Sequence, residues 1–141
     1  MKTTKPIEWV PNFTKSLVPG RIKFIDQTLL PTKLKYIHTD SVETIFHAIR
    51  TLQIRGAPAI GIAAAMGIVL AVQNEKNKKL QDLIREVKKT SAFLAKSRPT
   101  AVNLFWALKR MENIVVSLSS GTKSEEAIKI LAHEAIAIRD E

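Results

Sequence analysis

The stretch Ala57–Val72, APAIGIAAAMGIVLAV, carries no charged side chain and no hydrogen-bonding side chain along its whole length. A helix opening near Pro58 suits it, because proline lacks an N–H that the first helical turn would leave unused. A helix that is apolar all round has to be covered on every side. It is also shorter than the roughly 20 residues a membrane span needs, so the cover is expected from the rest of the chain. Gly61, Ala65 and Gly67 are small enough to let neighbouring helices come close.

Those neighbours can be read on both sides of the stretch. Upstream, Asp40 and Glu43 form a variant of the capping box, and Val42, Ile45, Phe46, Ile49 and Leu52 make one helical face. Downstream, Leu80, Leu83, Ile84, Val87 and Leu94 predict an amphipathic helix with Lys78, Lys79, Arg85, Lys88 and Lys89 on its wet side. A fourth helix is expected from Pro99 to near Gly121, with Val102, Phe105, Trp106, Leu108, Met111 and Val115 as packing residues. A fifth is expected from Thr122, with Glu125 completing a capping box, through Ile128, Leu131, Ala135 and Ile138. It is still periodic at Arg139-Asp140-Glu141, without a Gly, Asn or Pro stop.

The N-terminal part has a different texture. Arg21–Asp26 alternates polar and apolar residues, Leu34–Ile37 is strand-like, and Glu8–Val10 is a weaker strand. Pro19-Gly20 reads as a turn between such runs. The fold expected is α+β: a small antiparallel sheet over residues 1–39, then a helical bundle of five helices over residues 40–141.

Composition narrows the function. The chain has 141 residues, 45% of them hydrophobic, with 22 Lys+Arg against 13 Asp+Glu and a net charge of +9. Such a balance favours anionic ligands without choosing among them. Nucleic acid is disfavoured, since no aromatic residue interleaves the basic cluster Lys76 to Lys89, which reads as a solvated helix face. With no cysteine, the chain holds no disulfide and no thiolate. His38, His47 and His133 lack metal-ligand spacing, so no metal site is expected. Met1–Val10 has Lys2 and Lys5 but no apolar stretch, so a secretory signal and a membrane location are not expected, and a cytoplasmic protein is. Asp26 ends a strand and reads as a turn or capping residue.

Two segments each place an arginine before a helix start. In Ile54-Arg55-Gly56-Ala57-Pro58-Ala59-Ile60-Gly61, free N–H groups and the positive end of the helix dipole could hold an anion, with Arg55 adding a planar fork and Gly56 allowing close approach. A tight turn with a solvated arginine is the plainer reading. In Ser97-Arg98-Pro99-Thr100-Ala101-Val102-Asn103-Leu104 the device recurs, with Thr100 and Asn103 able to face the same helix end. Here the plainer reading is an N-cap by Ser97 and a surface arginine. Spacing alone leaves open whether the two starts converge on one ligand.

These segments, in this order and together with Ile25-Asp26-Gln27 and Leu30-Pro31, resemble the S-methyl-5-thioribose-1-phosphate isomerase family. That family shares a superfamily with the alpha, beta and delta subunits of eukaryotic initiation factor 2B. The resemblance implies conversion of 5-methylthioribose 1-phosphate to 5-methylthioribulose 1-phosphate in methionine salvage, an aldose–ketose isomerisation without a cofactor. It implies Arg55, Gly56, Ala57 and Arg98 as substrate contacts. The family's catalytic cysteine and aspartate belong to a C-terminal Rossmann-like domain, so this chain is expected to be the N-terminal domain alone, without a catalytic residue and inactive by itself. The complete enzyme is expected to be a homodimer. A non-catalytic interaction domain related to the initiation factor subunits is the alternative.

Overall fold

The computed structural model describes residues 5–140, so the first four residues of the expected N-terminal sheet region and Glu141 lie outside the described residues. Three strands, β1 (Ile7–Phe13), β2 (Ser16–Ile25) and β3 (Tyr36–Thr39), form an antiparallel sheet in the order β1-β2-β3. A short 3-10 turn, Gln27–Leu29, follows β2. Five helices complete the chain: α1 (Val42–Arg50), α2 (Ala57–Val72), α3 (Leu80–Ala95), α4 (Val102–Ser117) and α5 (Ser124–Asp140). The expected α+β order of sheet then bundle is the observed one.

Helix α2 is the axis of the molecule. Twelve of its sixteen residues are buried, and α1, α3, α4, α5, β1 and β2 all pack against it. The small residues permit this closeness. A Cβ on Gly61 would lie 3.3 Å from the Asn103 carbonyl oxygen of α4, and one on Gly67 would lie 3.1 Å from a Leu94 methyl of α3. Leu83, Val87 and Leu94 turn inward from α3, and Leu131, Ala135 and Ile138 from α5, as their spacing predicts. No helix among the described residues is long and apolar enough to cross a membrane.

The sheet is fastened to the bundle by one side chain. Gln73, buried just past the end of α2, accepts a hydrogen bond from the Gly20 N–H (2.8 Å) and donates one to the Gly20 carbonyl (3.0 Å). Pairing of β3 with β2 stops at Ile22↔Thr39, and two residues further along β2 the Gln73 amide does what a longer strand would have done. Pro19-Gly20 is therefore not a turn. It lies within β2, and the reversal falls at residues 14–15, where Phe13 opposes Ser16. Glycine is needed at position 20 for space, since the Trp9 indole covers it at 2.6 Å from where a Cβ would stand. The indole N–H is meanwhile satisfied by the Leu17 carbonyl at 2.7 Å.

Several helix boundaries differ from the sequence reading. Ser41, not Asp40, caps α1, its hydroxyl accepting the Thr44 N–H at 3.3 Å and donating to Glu43 at 3.1 Å. Helix α4 starts at Val102 rather than Pro99, because Arg98–Ala101 forms a turn closed by the Ala101 N–H on the Arg98 carbonyl (3.0 Å), where proline at the second position is favoured. It ends at Ser117, short of Gly121. The Thr122–Glu125 box does not form: the Thr122 hydroxyl pairs with Ser119 at 3.1 Å, Glu125 faces Lys129, and α5 begins at Ser124. Phe105 and Trp106 are not core residues. Leu104, Ala107, Leu108, Met111 and Val115 make the inward stripe of α4, leaving Val102 (78% exposed), Phe105 (42%), Trp106 (49%) and Val116 (53%) outward.

Replacing Gln73 with Met keeps the volume and removes both hydrogen bonds. The two buried Gly20 groups then lack partners, a loss of roughly 2–4 kcal/mol. The expected result is a clear fall in melting temperature for Gln73→Met, against little change for Lys76→Met on the exposed surface beside it.

Candidate anion site at two helix starts

Gly56 stands at the head of α2 with φ 94, a left-handed conformation that glycine adopts without the steric cost other residues bear. No side chain caps this helix, and Pro58 has no N–H to offer, so the Ala57 and Ala59 N–H groups point out of the first turn. At the head of α4, Ala101 occupies the cap position and again supplies no side-chain bond. Helix α3 also starts without a side-chain cap, so an open start alone does not distinguish these two. What distinguishes them is that they share a cavity.

That cavity, of about 280 Å³, is lined by Gly56, Ala57 and Ile60 from the start of α2 and by Arg98, Ala101, Val102 and Asn103 from the turn and first residues of α4. Contact at Gly61 brings the two helix heads together: its missing side chain lets α2 rest on the Asn103 carbonyl. Two positive dipole ends and one guanidinium thus face a single space, a combination that favours an anion. The cavity supplies N–H groups, one guanidinium and one carboxamide, and its lining includes no carboxylate and no imidazole.

The residues singled out in the sequence fall as follows. Gly56, Ala57 and Arg98 line the cavity together. Arg55 does not. It is exposed at the position before Gly56, and among the described residues neither it nor Arg98 joins an ion pair. Asn103 lines the cavity as expected, whereas Thr100 is exposed outside it. Ser97 does not cap α4; its hydroxyl donates to the Leu94 carbonyl at 2.6 Å and finishes α3. Ile60, Ala101 and Val102 also line the cavity, none of them singled out for it by the sequence reading, which makes Val102 a packing residue; Ile60 lies one helical turn past Gly56, so its spacing could have indicated it. His38, His47 and His133 are exposed, and no group among the described residues could hold a metal ion.

Asp26 has the capping role its position suggested, and more. Buried at 5% exposure, its carboxylate accepts the Thr28 N–H (3.0 Å), the Thr28 hydroxyl (2.5 Å) and the Gln53 side-chain N–H (3.1 Å). Burial works to raise its pKa, but the Thr28 and Gln53 hydrogen bonds and the charge of Lys35 together outweigh it and hold the carboxyl below the usual range. Gln53 could not have been found from sequence, because its partner lies 27 residues away.

The three-stranded antiparallel sheet packs against the helical bundle, and two uncapped helix heads and Arg98 share one cavity. The sequence pattern of the Initiation factor 2 subunit family matches residues 53–141, and the chain belongs to that family. It is 49% identical over 123 residues to a 5-deoxyribose 1-phosphate isomerase of Moorella thermoacetica, covering 86% of this chain and 34% of that one. It is 43% identical over its full length to methylthioribose-1-phosphate isomerase 2 of Pseudothermotoga lettingae, covering 37% of that protein. Among solved structures, the 5-methylthioribose 1-phosphate isomerase from Pyrococcus horikoshii matches with a TM-score of 0.84 at 33% identity, over 99% of this chain and 36% of the other. The translation initiation factor eIF-2B subunit delta from A. fulgidus matches with a TM-score of 0.77 at 37% identity, over 96% and 36%. The chain spans about a third of the length of the curated relatives it matches.

Gly61→Val places branched methyls against the Asn103 carbonyl and pries the two helix heads apart. Overpacking of this kind costs about 1–3 kcal/mol. Thermal melting is expected to show that loss, with Gly121→Val, where a side chain meets nothing within 4 Å, showing far less.

Proposed function

We propose that this chain supplies the phosphate-holding part of an aldose–ketose isomerase that acts on a pentose 1-phosphate. The substrate in this reading is 5-methylthioribose 1-phosphate, converted to 5-methylthioribulose 1-phosphate in methionine salvage. The observation that carries the reading is the convergence of Gly56, Ala57 and Arg98 on one cavity between two open helix heads. The names of the isomerases it resembles supply the sugar. Arg98 holds the phosphate through the fork of its guanidinium, the Gly56–Ala57 turn adds N–H groups, and Arg55 closes over the rim. Their contribution is orientation and charge.

A sugar whose anomeric oxygen carries a phosphate cannot open its ring by simple loss of a proton. It needs an acid at the ring oxygen and a path for hydrogen between C2 and C1. Arginine and asparagine are the polar side chains lining the cavity and serve neither need. In this reading the 141 residues bind the sugar phosphate and do not turn it over, and the reaction belongs to a complete homodimeric enzyme of the cytoplasm. Nucleic acid has no place in it: the basic residues between Lys76 and Lys89 are solvated and stand without aromatic neighbours in the sequence.

A second reading draws on the likeness to subunit delta and on the outward apolar face of α4. It makes the chain a protein-contact domain in which the cavity binds nothing. Calorimetric titration with 5-methylthioribose 1-phosphate separates the two. Arg98→Ala is expected to weaken binding roughly 10- to 100-fold, the worth of a charged hydrogen-bonded contact, with Arg55→Ala weakening it as well. Binding untouched by either change counts against the isomerase reading. Ketose product from purified chain counts against its binding-only part.

A further inference from the structure

Resting on the anion-site reading above, we infer that Asp26, which lines no part of the cavity, is a positioning residue for the Arg55–Ala57 turn and acts through Gln53. Three bonds hold the approach to that turn. The Gln27 N–H donates to the Gln53 carbonyl at 2.9 Å, and the Gln53 side chain donates to Asp26 at 3.1 Å. One residue further on, the buried Ile54 donates its N–H to the Ala48 carbonyl at 3.0 Å. Arg55 and Gly56 follow directly, within the roughly 7 Å that two peptide units can reach. Between helix and clasp, Leu52 is the described non-glycine residue with positive φ, 68, and this left-handed step turns the chain back so that Gln53 meets Asp26. Such a conformation is unfavourable for leucine and has to be fixed by its surroundings.

The carboxylate is itself fixed. Thr28 donates to one of its oxygens twice, through its N–H and its hydroxyl, which leaves the other oxygen aimed at Gln53. Asp26 also donates its backbone N–H to the Lys35 carbonyl at 2.9 Å, so its own main chain is held by the segment entering β3. The end of β2 thereby anchors the loop carrying one half of the proposed phosphate site, while Arg98 is carried by a different turn with no bond to this cluster. A change at Asp26 or Gln53 should therefore move the Gly56 and Ala57 N–H groups without touching Arg98.

The test is titration of the 141-residue chain and its variants with 5-methylthioribose 1-phosphate, alongside amide hydrogen exchange at Gly56 and Ala57. Gln53→Met, which leaves the Thr28 bonds intact, should weaken binding about tenfold and speed exchange at these two amides, while melting temperature falls less than in Gln73→Met because one bond is lost in place of two. Asp26→Ala should weaken it similarly, and the double variant should be no worse than the singles. Asp26→Asn should bind close to the parent, because the Gln53 amide can rotate and accept from the new carboxamide. Parent-like binding by Gln53→Met, or losses that multiply in the double variant, overturns the role of Asp26. If Arg98→Ala weakens binding and Gln53→Met does not, only this role falls. If the unaltered chain does not bind, the site reading falls with it.

Discussion

The constraint on which everything else depends is that α2 has no side fit for water. Its residues from Ala59 to Val72 offer methyl and methylene groups in every direction, so at about 25 cal/mol per Å² of apolar area each uncovered face would be a large loss. The chain meets this by wrapping four helices and two strands around it. Crowding sets the second condition. Six elements can reach a single helix only where its side chains are small, and Gly61 and Gly67 stand where α4 and α3 come nearest. The cavity is a by-product of that packing, since the contact at Gly61 places two helix heads side by side and both present N–H groups.

Polar side chains carry the connections that backbone pairing leaves unfinished. Gln73 completes β2 beyond the reach of β3, Ser124 donates to the Lys78 carbonyl at 2.5 Å where α5 begins, and Ser91 donates to Glu112 at 3.0 Å between α3 and α4. Arg110 pairs with Glu134 of α5 while its guanidinium lies over the Trp106 ring, 5.3 Å from the centroid. The same group thus ties α4 to α5 and steadies an outward indole. Every buried side-chain polar atom among the described residues has a partner. In a domain this full of methyl groups, that completeness matters more than the number of ion pairs, most of which are exposed and worth little.

Periodicity made much of this legible. The existence of all five helices follows from apolar patterning, the inward faces of α3 and α5 from its spacing, and the N-terminal sheet from short alternating runs, because those patterns report burial directly. Boundaries were harder. Proline at position 99 fits a first helical residue and a turn equally well, and only the bond from Ala101 to Arg98 decides between them. Pro19-Gly20 has turn chemistry, but Trp9 and Gln73 make it strand, and both act from a distance in sequence. Phe105 and Trp106 misled for the opposite reason: being apolar, they fit a packing stripe, yet Phe105 lies about 100° around α4 from Leu104, and Trp106 about 160° from both Leu104 and Leu108. For the candidate site, the arginine-before-helix device could be read, and the meeting of its two copies could not. Sequence spacing holds no information on whether Gly61 touches Asn103.

The Gln73–Gly20 pair has a consequence for how the molecule comes apart. Its two residues stand just past the end of a helix and in the middle of a strand, 53 residues apart. Helix ends fray readily on their own, and so does a stretch of strand paired on one side only, as β2 is at Gly20 beyond the reach of β3. Joined this way, neither can open alone: loss of the helix end strands the buried Gly20 N–H and carbonyl, and loss of the strand strands the buried Gln73 carboxamide. The sheet and the central helix are thereby made into one cooperative unit. Local breathing at the helix end is expressed as loss of strand order 53 residues earlier in the chain.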